Sequence, residues 1–225
     1  MLSTQLAIAL HNNWCDRKAD AIAKPWRHIP RGALDPTFVL FAAVALLILG
    51  LTLAWLIGPA VSQLVAAGTA CGFVYNAWLK RTSLSWLPFA VALPTLALCS
   101  LLVADRLDGL PYGLYLIGLP LVLAIHLADS VPDIAGDQRA GSRGLAVVLG
   151  PRRALLACWL GLLAAILIAS LLRPFGIAPG ALVALSCALL AGAVLVSRRS
   201  LRAHWYLVVG SGIALAVDWV AALAA

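Results

Sequence analysis

The chain has 225 residues, of which 63% are hydrophobic and 11% charged, with a mean hydropathy of +1.00. No soluble domain of this length needs so much apolar surface, which excludes a water-soluble domain and indicates transmembrane helices. The net charge of +7 does not indicate nucleic acid, because the basic residues fall in short loops between apolar spans, where membrane topology accounts for them.

The chain opens with a short apolar stub, Leu2–His11, which covers about half a bilayer at ~1.5 Å per helical residue. Seven spans follow, at roughly Thr37–Leu56, Ala60–Leu79, Trp86–Ala104, Tyr112–Val131, Ala154–Leu172, Pro179–Val196 and Trp205–Leu223. Each approaches the ~20 residues that cross a ~30 Å hydrocarbon layer. Trp55, Trp78, Trp86, Trp205 and Trp219 stand near span ends, as an aromatic belt does. The expected architecture is all-α: a polytopic membrane bundle of seven full transmembrane helices plus an N-terminal half-helix, forming one domain over residues 1–225. The five cysteines show no CxxC spacing, so neither a disulfide nor a zinc site is expected.

Of the 16 basic residues, 14 fall on one set of loops: Arg17 to Arg31, Lys80 and Arg81, Arg139 to Arg153, and Arg198 to Arg202. Only Arg106 and Arg173 lie on the other side. The positive-inside rule places the first set in the cytoplasm. That orientation starts the stub near mid-membrane, so the sequence is expected to lack an upstream half-helix and a whole helix before it.

The acidic residues are nine Asp and no Glu, and five of them fall in two segments. Asn12, Asp16 and Asp20 recur at i, i+4 and i+8, as do Asp129, Asp133 and Asp137, and residues four apart share a helix face. Two such faces brought together suit a divalent ion, and their hard oxygens suit Mg²⁺, which completes its shell with water and substrate phosphate. The competing reading is a set of ordinary loop carboxylates that neutralise nearby Arg and Lys. Each motif is followed by a basic loop, Lys24–Gly32 and Gln138–Ala146, read either as a grip on phosphate oxygens or as plain topology signals. His126, three residues before Asp129, either lines the pocket and assists a proton transfer or is merely hydrogen-bonded in the bundle. His28 and His204 read as interfacial. Asp218 is a lone carboxylate in the last span, which marks function by default or reaches the surface by snorkelling.

Asn12-Asn13-x-x-Asp16-x-x-x-Asp20, the following Lys24-Pro25-Trp26-Arg27, the span end from Tyr75 to Lys80-Arg81-Thr82, and Asp129-x-x-x-Asp133-x-x-x-Asp137-x-x-x-Gly141 resemble the UbiA superfamily of intramembrane prenyltransferases. The resemblance covers essentially the whole chain. It implies a bundle, normally of nine helices, around a central cavity that holds Mg²⁺ and a prenyl diphosphate. It implies Asn12, Asp16, Asp129 and Asp133 as metal ligands, with Asp20 and Asp137 completing the diphosphate site. It further implies Tyr75, Lys80, Arg27 and Arg143 as diphosphate contacts, with Asp16, Asp133, Tyr75 and Lys80 carrying catalysis. The chain departs from the family pattern in several places. Asn13 stands where Asp usually follows the Asn, the Tyr75–Lys80 spacing is one residue longer than usual, and Gly144 replaces a Thr. The family's first helix and half of its second have no counterpart.

The expected function is Mg²⁺-dependent transfer of a prenyl group from a polyprenyl diphosphate to an electron-rich aromatic or lipid-precursor acceptor within the membrane. Its partners are the prenyl diphosphate, the acceptor and membrane lipid, with no nucleic acid. A membrane terpene cyclase would use the same diphosphate site without an acceptor. A carboxylate-lined transporter needs charge at midspan, whereas these Asp residues stand at cytoplasmic helix ends. An inactive truncated homologue with a structural role is the remaining alternative.

Overall fold

The computed structural model describes residues 1–105, 111–172 and 180–224. Among these residues the regular structure is helical: α1 Leu2–Ala23, α2 Pro36–Ile57, α3 Pro59–Ala77, α4 Leu87–Val103, α5 Pro111–Ser130, α6 Ile134–Arg139, α7 Leu145–Leu171, α8 Ala181–Val196 and α9 Leu201–Ala224. Short 3₁₀ turns occupy Leu79–Arg81 and Val131–Asp133. Each expected span coincides with a helix to within a few residues, except at the start of the fifth. Arg106, Arg173 and Pro179 lie outside the described residues.

The helix ends follow local chemistry. Asp35 Oδ1 accepts the Thr37 N–H at 2.8 Å and the Phe38 N–H at 2.9 Å, and Pro36 opens α2 where no N–H is needed. In α7, Gly150 takes φ +74° before Pro151, a conformation that suits glycine. The long straight part of α7 therefore begins at Pro151, close to the expected Ala154, and Leu145–Leu149 forms a separate preceding turn. The stub Leu2–His11 is the first part of α1, which continues through the whole first motif to Ala23.

Three helical segments are long and apolar enough to cross a membrane, by length and composition: Pro36–Ile57, Gly113–Arg139 and Leu145–Leu171. Leu87–Val103 and Ala181–Val196 are shorter apolar helices. Only 17% of the most apolar window of α2 is buried within the protein, and Phe38, Phe41, Ile48 and Leu56 point outward. A helix apolar all round with so little protein cover is solvated by lipid.

The chain forms two units, Met1–Asp108 with Ala140–Ser142, and Gly109–Arg139 with Arg143–Ala225. In the first, α1 packs on α2 and α3, and α3 packs on α4. Thr4 seats against Gly50, and Ile8 against Gly72, where a Cβ would come within 2.7 Å of the Ile8 side chain. In the second unit, α5 packs on α7, and α8 on α9. Ser186 and Ser211 are fully buried and exchange bonds, Ser186 Oγ donating to the Ser211 carbonyl at 3.0 Å and Ser211 Oγ to the Ser186 carbonyl at 2.8 Å. Such small-residue and hydroxyl contacts are what joins helices in a solvent as apolar as their side chains.

Three expectations change here. Trp219 is buried in the core, against Gly113, rather than in an aromatic belt. His204 is fully buried, where its Nε2 accepts the Trp159 indole N–H at 3.1 Å, so it is not interfacial. Asp218 is also buried, with Oδ1 only 2.5 Å from where a Cβ on Gly180 would stand. Its carboxylate thus stands near the N-terminal end of α8, where the helix dipole favours negative charge.

Gly161 tests the close-packing account. A Cβ there would stand 2.8 Å from the Pro120 backbone carbonyl oxygen, and backbone in a packed helix cannot yield cheaply. Gly161→Ala is expected to cost about 1–3 kcal/mol through overpacking. Gly68→Ala, with nothing within 4 Å of its Cβ position, is expected to stay within about 0.5 kcal/mol of wild type or gain slightly from helix propensity. Unfolding of both variants in detergent checks the contrast, and equal losses would refute it.

Candidate functional site

The first Asp motif is held in place by α3. Asn76, 3% exposed, donates from Nδ2 to the Ile8 carbonyl of α1 at 2.8 Å. The His11 ring stacks on Phe73 with centroids 4.3 Å apart. These contacts fix the height and rotation of α1 immediately before Asn12. At the end of α3, Trp78 leaves helical geometry with φ −146°, and the 3₁₀ turn Leu79–Arg81 reverses the chain. Thr82 Oγ closes that turn on the Leu79 carbonyl at 2.9 Å, and Leu79 anchors it in the interior.

The turn aims Lys80 at α1. Its Nζ donates to Asn12 Oδ1 at 2.9 Å and to Asp16 Oδ1 at 2.5 Å. The Lys80 and Asp16 side chains are only 13% and 22% exposed. Charge-assisted bonds of this kind gain strength as water is excluded. Two oxygens one helical turn apart therefore already cradle a cation.

Asp20 does not join them. Its Oδ2 accepts from Arg27 at 2.8 Å, with the two side chains 10% and 37% exposed for Asp20 and Arg27 respectively. Helical geometry explains the parting: at 3.6 residues per turn, eight residues leave Asp20 rotated by ~80° from Asn12, while seven leave it only ~20° from Asn13. Asn13 and Asp20 accordingly face the same cleft of about 250 Å³, which Arg27 and His28 also line. Leu10, Ile29, Pro30, Leu34 and Val39 supply its apolar wall. His28 in turn bonds Arg31 at 2.8 Å. Arg17 folds back over Trp14, 4.2 Å from the ring centroid.

The second motif, in the other unit, is not one continuous α-helix. Pro132 lacks the N–H needed to continue α5, and Val131–Asp133 tightens into a 3₁₀ turn before α6. The interruption keeps Val131 and Ile134 buried while Asp129 and Asp133 are exposed and Asp137 is half-buried. His126 is buried, and its carbonyl accepts Ser130 Oγ–H at 2.8 Å. Arg139 Nε donates to its own helix at the Ala135 carbonyl, 3.1 Å away. Arg143 is exposed. Tyr75 packs edge-on against Phe89 at 4.8 Å.

Asn76 is the site residue without an assigned role in the sequence reading. Its signal was a lone amide near the end of an apolar span, and its partner is a backbone carbonyl that no motif encodes. Among the described residues, no three His, Cys, Asp or Glu side chains gather as a metal site. Mg²⁺ does not require such a cage, since one or two carboxylates plus water and substrate phosphate suffice. The oxygen pair of Asn12 and Asp16 fits that pattern, with the Lys80 ammonium as its stand-in cation.

The sequence matches the model of the UbiA prenyltransferase family over residues 1–223. It is 32% identical over 218 residues to the bacteriochlorophyll synthase 33 kDa chain of Cereibacter sphaeroides, covering 92% of this chain and 71% of that one. It is 30% identical over 152 residues to the digeranylgeranylglyceryl phosphate synthase of Pyrococcus abyssi, covering 64% of this chain and 52% of the relative. The chain thus spans between about half and seven tenths of these relatives. In fold it is similar to the apo structure of a UbiA homolog from Aeropyrum pernix K1, with a TM-score of 0.76 at 18% identity, covering 96% of this chain and 86% of that one.

The two ion pairs of the first motif differ in exposure, and double-mutant cycles should separate them. Coupling between Lys80 and Asp16 is expected at about 1–3 kcal/mol, as for shielded hydrogen bonds to charged groups. Coupling between Arg27 and Asp20, where Arg27 is more open to solvent, is expected at about 0.2–1 kcal/mol and to shrink with added salt. Alanine cycles read by unfolding in detergent decide the order, and a reversed ranking would contradict the burial argument.

Proposed function

The chain belongs to the UbiA prenyltransferase family, and from that premise we propose that it transfers a prenyl group from a polyprenyl diphosphate to an aromatic or lipid-precursor acceptor in the membrane, with Mg²⁺. The observation that carries the reading is the Asn12–Asp16 oxygen pair, set on consecutive turns of α1 and already holding a cation. Asn12 and Asp16 would hold the metal from the first motif, and by the family resemblance Asp129 and Asp133 would be the ligands of the second. Bound Mg²⁺ supplies charge neutralisation to the departing diphosphate.

The residues of the chain do the rest. Lys80 and Arg27 offer donors to diphosphate oxygens as negative charge builds on them, with Asp20 orienting Arg27 through their 2.8 Å pair. By the family resemblance Arg143 and Tyr75 take the same donor role, and Asp137 is a further carboxylate of the diphosphate site. The bond from the allylic carbon to oxygen breaks with its electron pair leaving on diphosphate. The electron-rich acceptor then attacks that carbon and loses a proton. An apolar surround keeps water from capturing the cation first. The distribution of 14 of 16 basic residues on one set of loops supports a cytoplasmic position for both Asp motifs. The relatives named as bacteriochlorophyll synthase and digeranylgeranylglyceryl phosphate synthase define the two acceptor types to try first.

Membranes containing the chain, given a polyprenyl diphosphate, an acceptor and Mg²⁺, are expected to form the prenylated acceptor and to stop on chelation. Asp16→Ala and Asp133→Ala should each lower the rate by about a hundredfold or more, the scale of losing a main electrostatic stabiliser. Asn13→Ala, which removes no contact of the Lys80 cluster, should cost about threefold or less. Equal losses from all three in folded protein would sink the face assignment. A cyclised product from the diphosphate alone would replace transfer with cyclisation.

A further inference from the structure

Lys80 stands where a metal ion is wanted, and this juxtaposition has a thermodynamic consequence. We propose that Lys80 is a placeholder cation: its ammonium occupies the Asn12–Asp16 oxygen pair until a metal ion displaces it, and diphosphate arriving with the metal then takes it up. The inference rests on the reading of Asn12 and Asp16 as metal ligands and adds a role for Lys80 beyond contacting the diphosphate.

The geometry supports an exchange rather than coexistence. Nζ engages Oδ1 of both residues, at 2.9 Å and 2.5 Å, so a metal taking the same oxygens must displace it. A divalent ion and an ammonium on one carboxylate oxygen would repel strongly in so shielded a place. The ammonium is also not free to swing far, because the 3₁₀ turn beneath it is pinned by buried Leu79 and by Thr82. Its flexible stem allows a shift of a few ångströms about that anchor. Metal alone therefore binds at the cost of breaking two charge-assisted bonds. When diphosphate comes with the metal, the displaced ammonium finds new oxygens and that loss is recovered. The two ligands thus favour each other's binding through Lys80. Unpaired carboxylates near hydrocarbon are avoided at every stage.

The test uses the full chain in detergent and Mn²⁺ as a paramagnetic probe, without substrate, with Mg²⁺ competition to identify the site. Lys80→Gln is expected to bind Mn²⁺ about tenfold more tightly than wild type, the scale of the hydrogen bonds no longer broken. Lys80→Arg, which keeps a cation, should stay near wild type, and Asp16→Asn should lose the site. Equal or weaker binding by Lys80→Gln, with Asp16 still required, overturns the placeholder role and leaves the metal site standing. Binding that ignores Asp16 removes both. A second measurement needs no variant: amine acetylation of Lys80 in wild type, followed by mass spectrometry, should speed up when Mn²⁺ is added. An unchanged or slower rate overturns the proposal even if Lys80→Gln does not fold.

Discussion

Charge at the edge of a hydrocarbon layer must be answered by opposite charge, and the Lys80 ammonium against Asn12 and Asp16 is where this chain meets that constraint most sharply. An unpaired Asp16 at 22% side-chain exposure would face a large desolvation cost. The pairing in turn dictates what surrounds it. The 3₁₀ turn after α3 exists to aim Lys80, Asn76 sets the height of α1, and Gly72 lets Ile8 approach closely enough for Asn76 to reach the Ile8 carbonyl. The same logic recurs at the last helix, where the buried Asp218 carboxylate stands near the N-terminal end of α8.

Close backbone approach does in this protein what the hydrophobic effect does in water. Lipid tails are as apolar as leucine, so burying leucine gains little, and contact between helices must come from fit and from polar groups that have no alternative partner. Gly50, Gly72, Gly113 and Gly161 each admit a neighbour to where a Cβ would stand. The Ser186–Ser211 exchange supplies the polar counterpart between α8 and α9. These contacts are also what sets the rotation of each helix about its axis, and that rotation decides which motif residues share a face.

The helices were legible because hydropathy and length suffice to mark them, and their ends because Pro, Gly and Asp35 punctuate them. The motif residues were legible as chemistry. Their grouping was less so. Treating i, i+4 and i+8 as one face let Asp20 ride along with Asn12, although the rotation accumulated over eight residues sets it beside Asn13 instead. The signal lay in the seven-residue spacing. The second motif concealed its 3₁₀ turn behind the same periodicity, although Pro132 announced it. His204 and Trp219 were misplaced for a different reason. Position along a span gives depth, but only tertiary packing decides whether an amphipathic ring turns to lipid or to the core.

A cation already resting on the motif bears on the choice among functions. A transport pathway needs its carboxylates to release ions readily along a wet route, and such groups face cavities at membrane depth. Here the oxygen pair is shielded, paired to a lysine on a pinned turn, and set on consecutive turns inside α1. That arrangement holds charge still, and in the proposed exchange an arriving polyanion redistributes it. A substrate bearing several negative oxygens, able to satisfy metal and lysine at once, answers the arrangement, whereas a lone inorganic ion would leave Lys80 without a partner. The electrostatics of the first motif suit a ligand with several negative oxygens, and the proposed prenyl diphosphate pairs such a head with a tail suited to hydrocarbon.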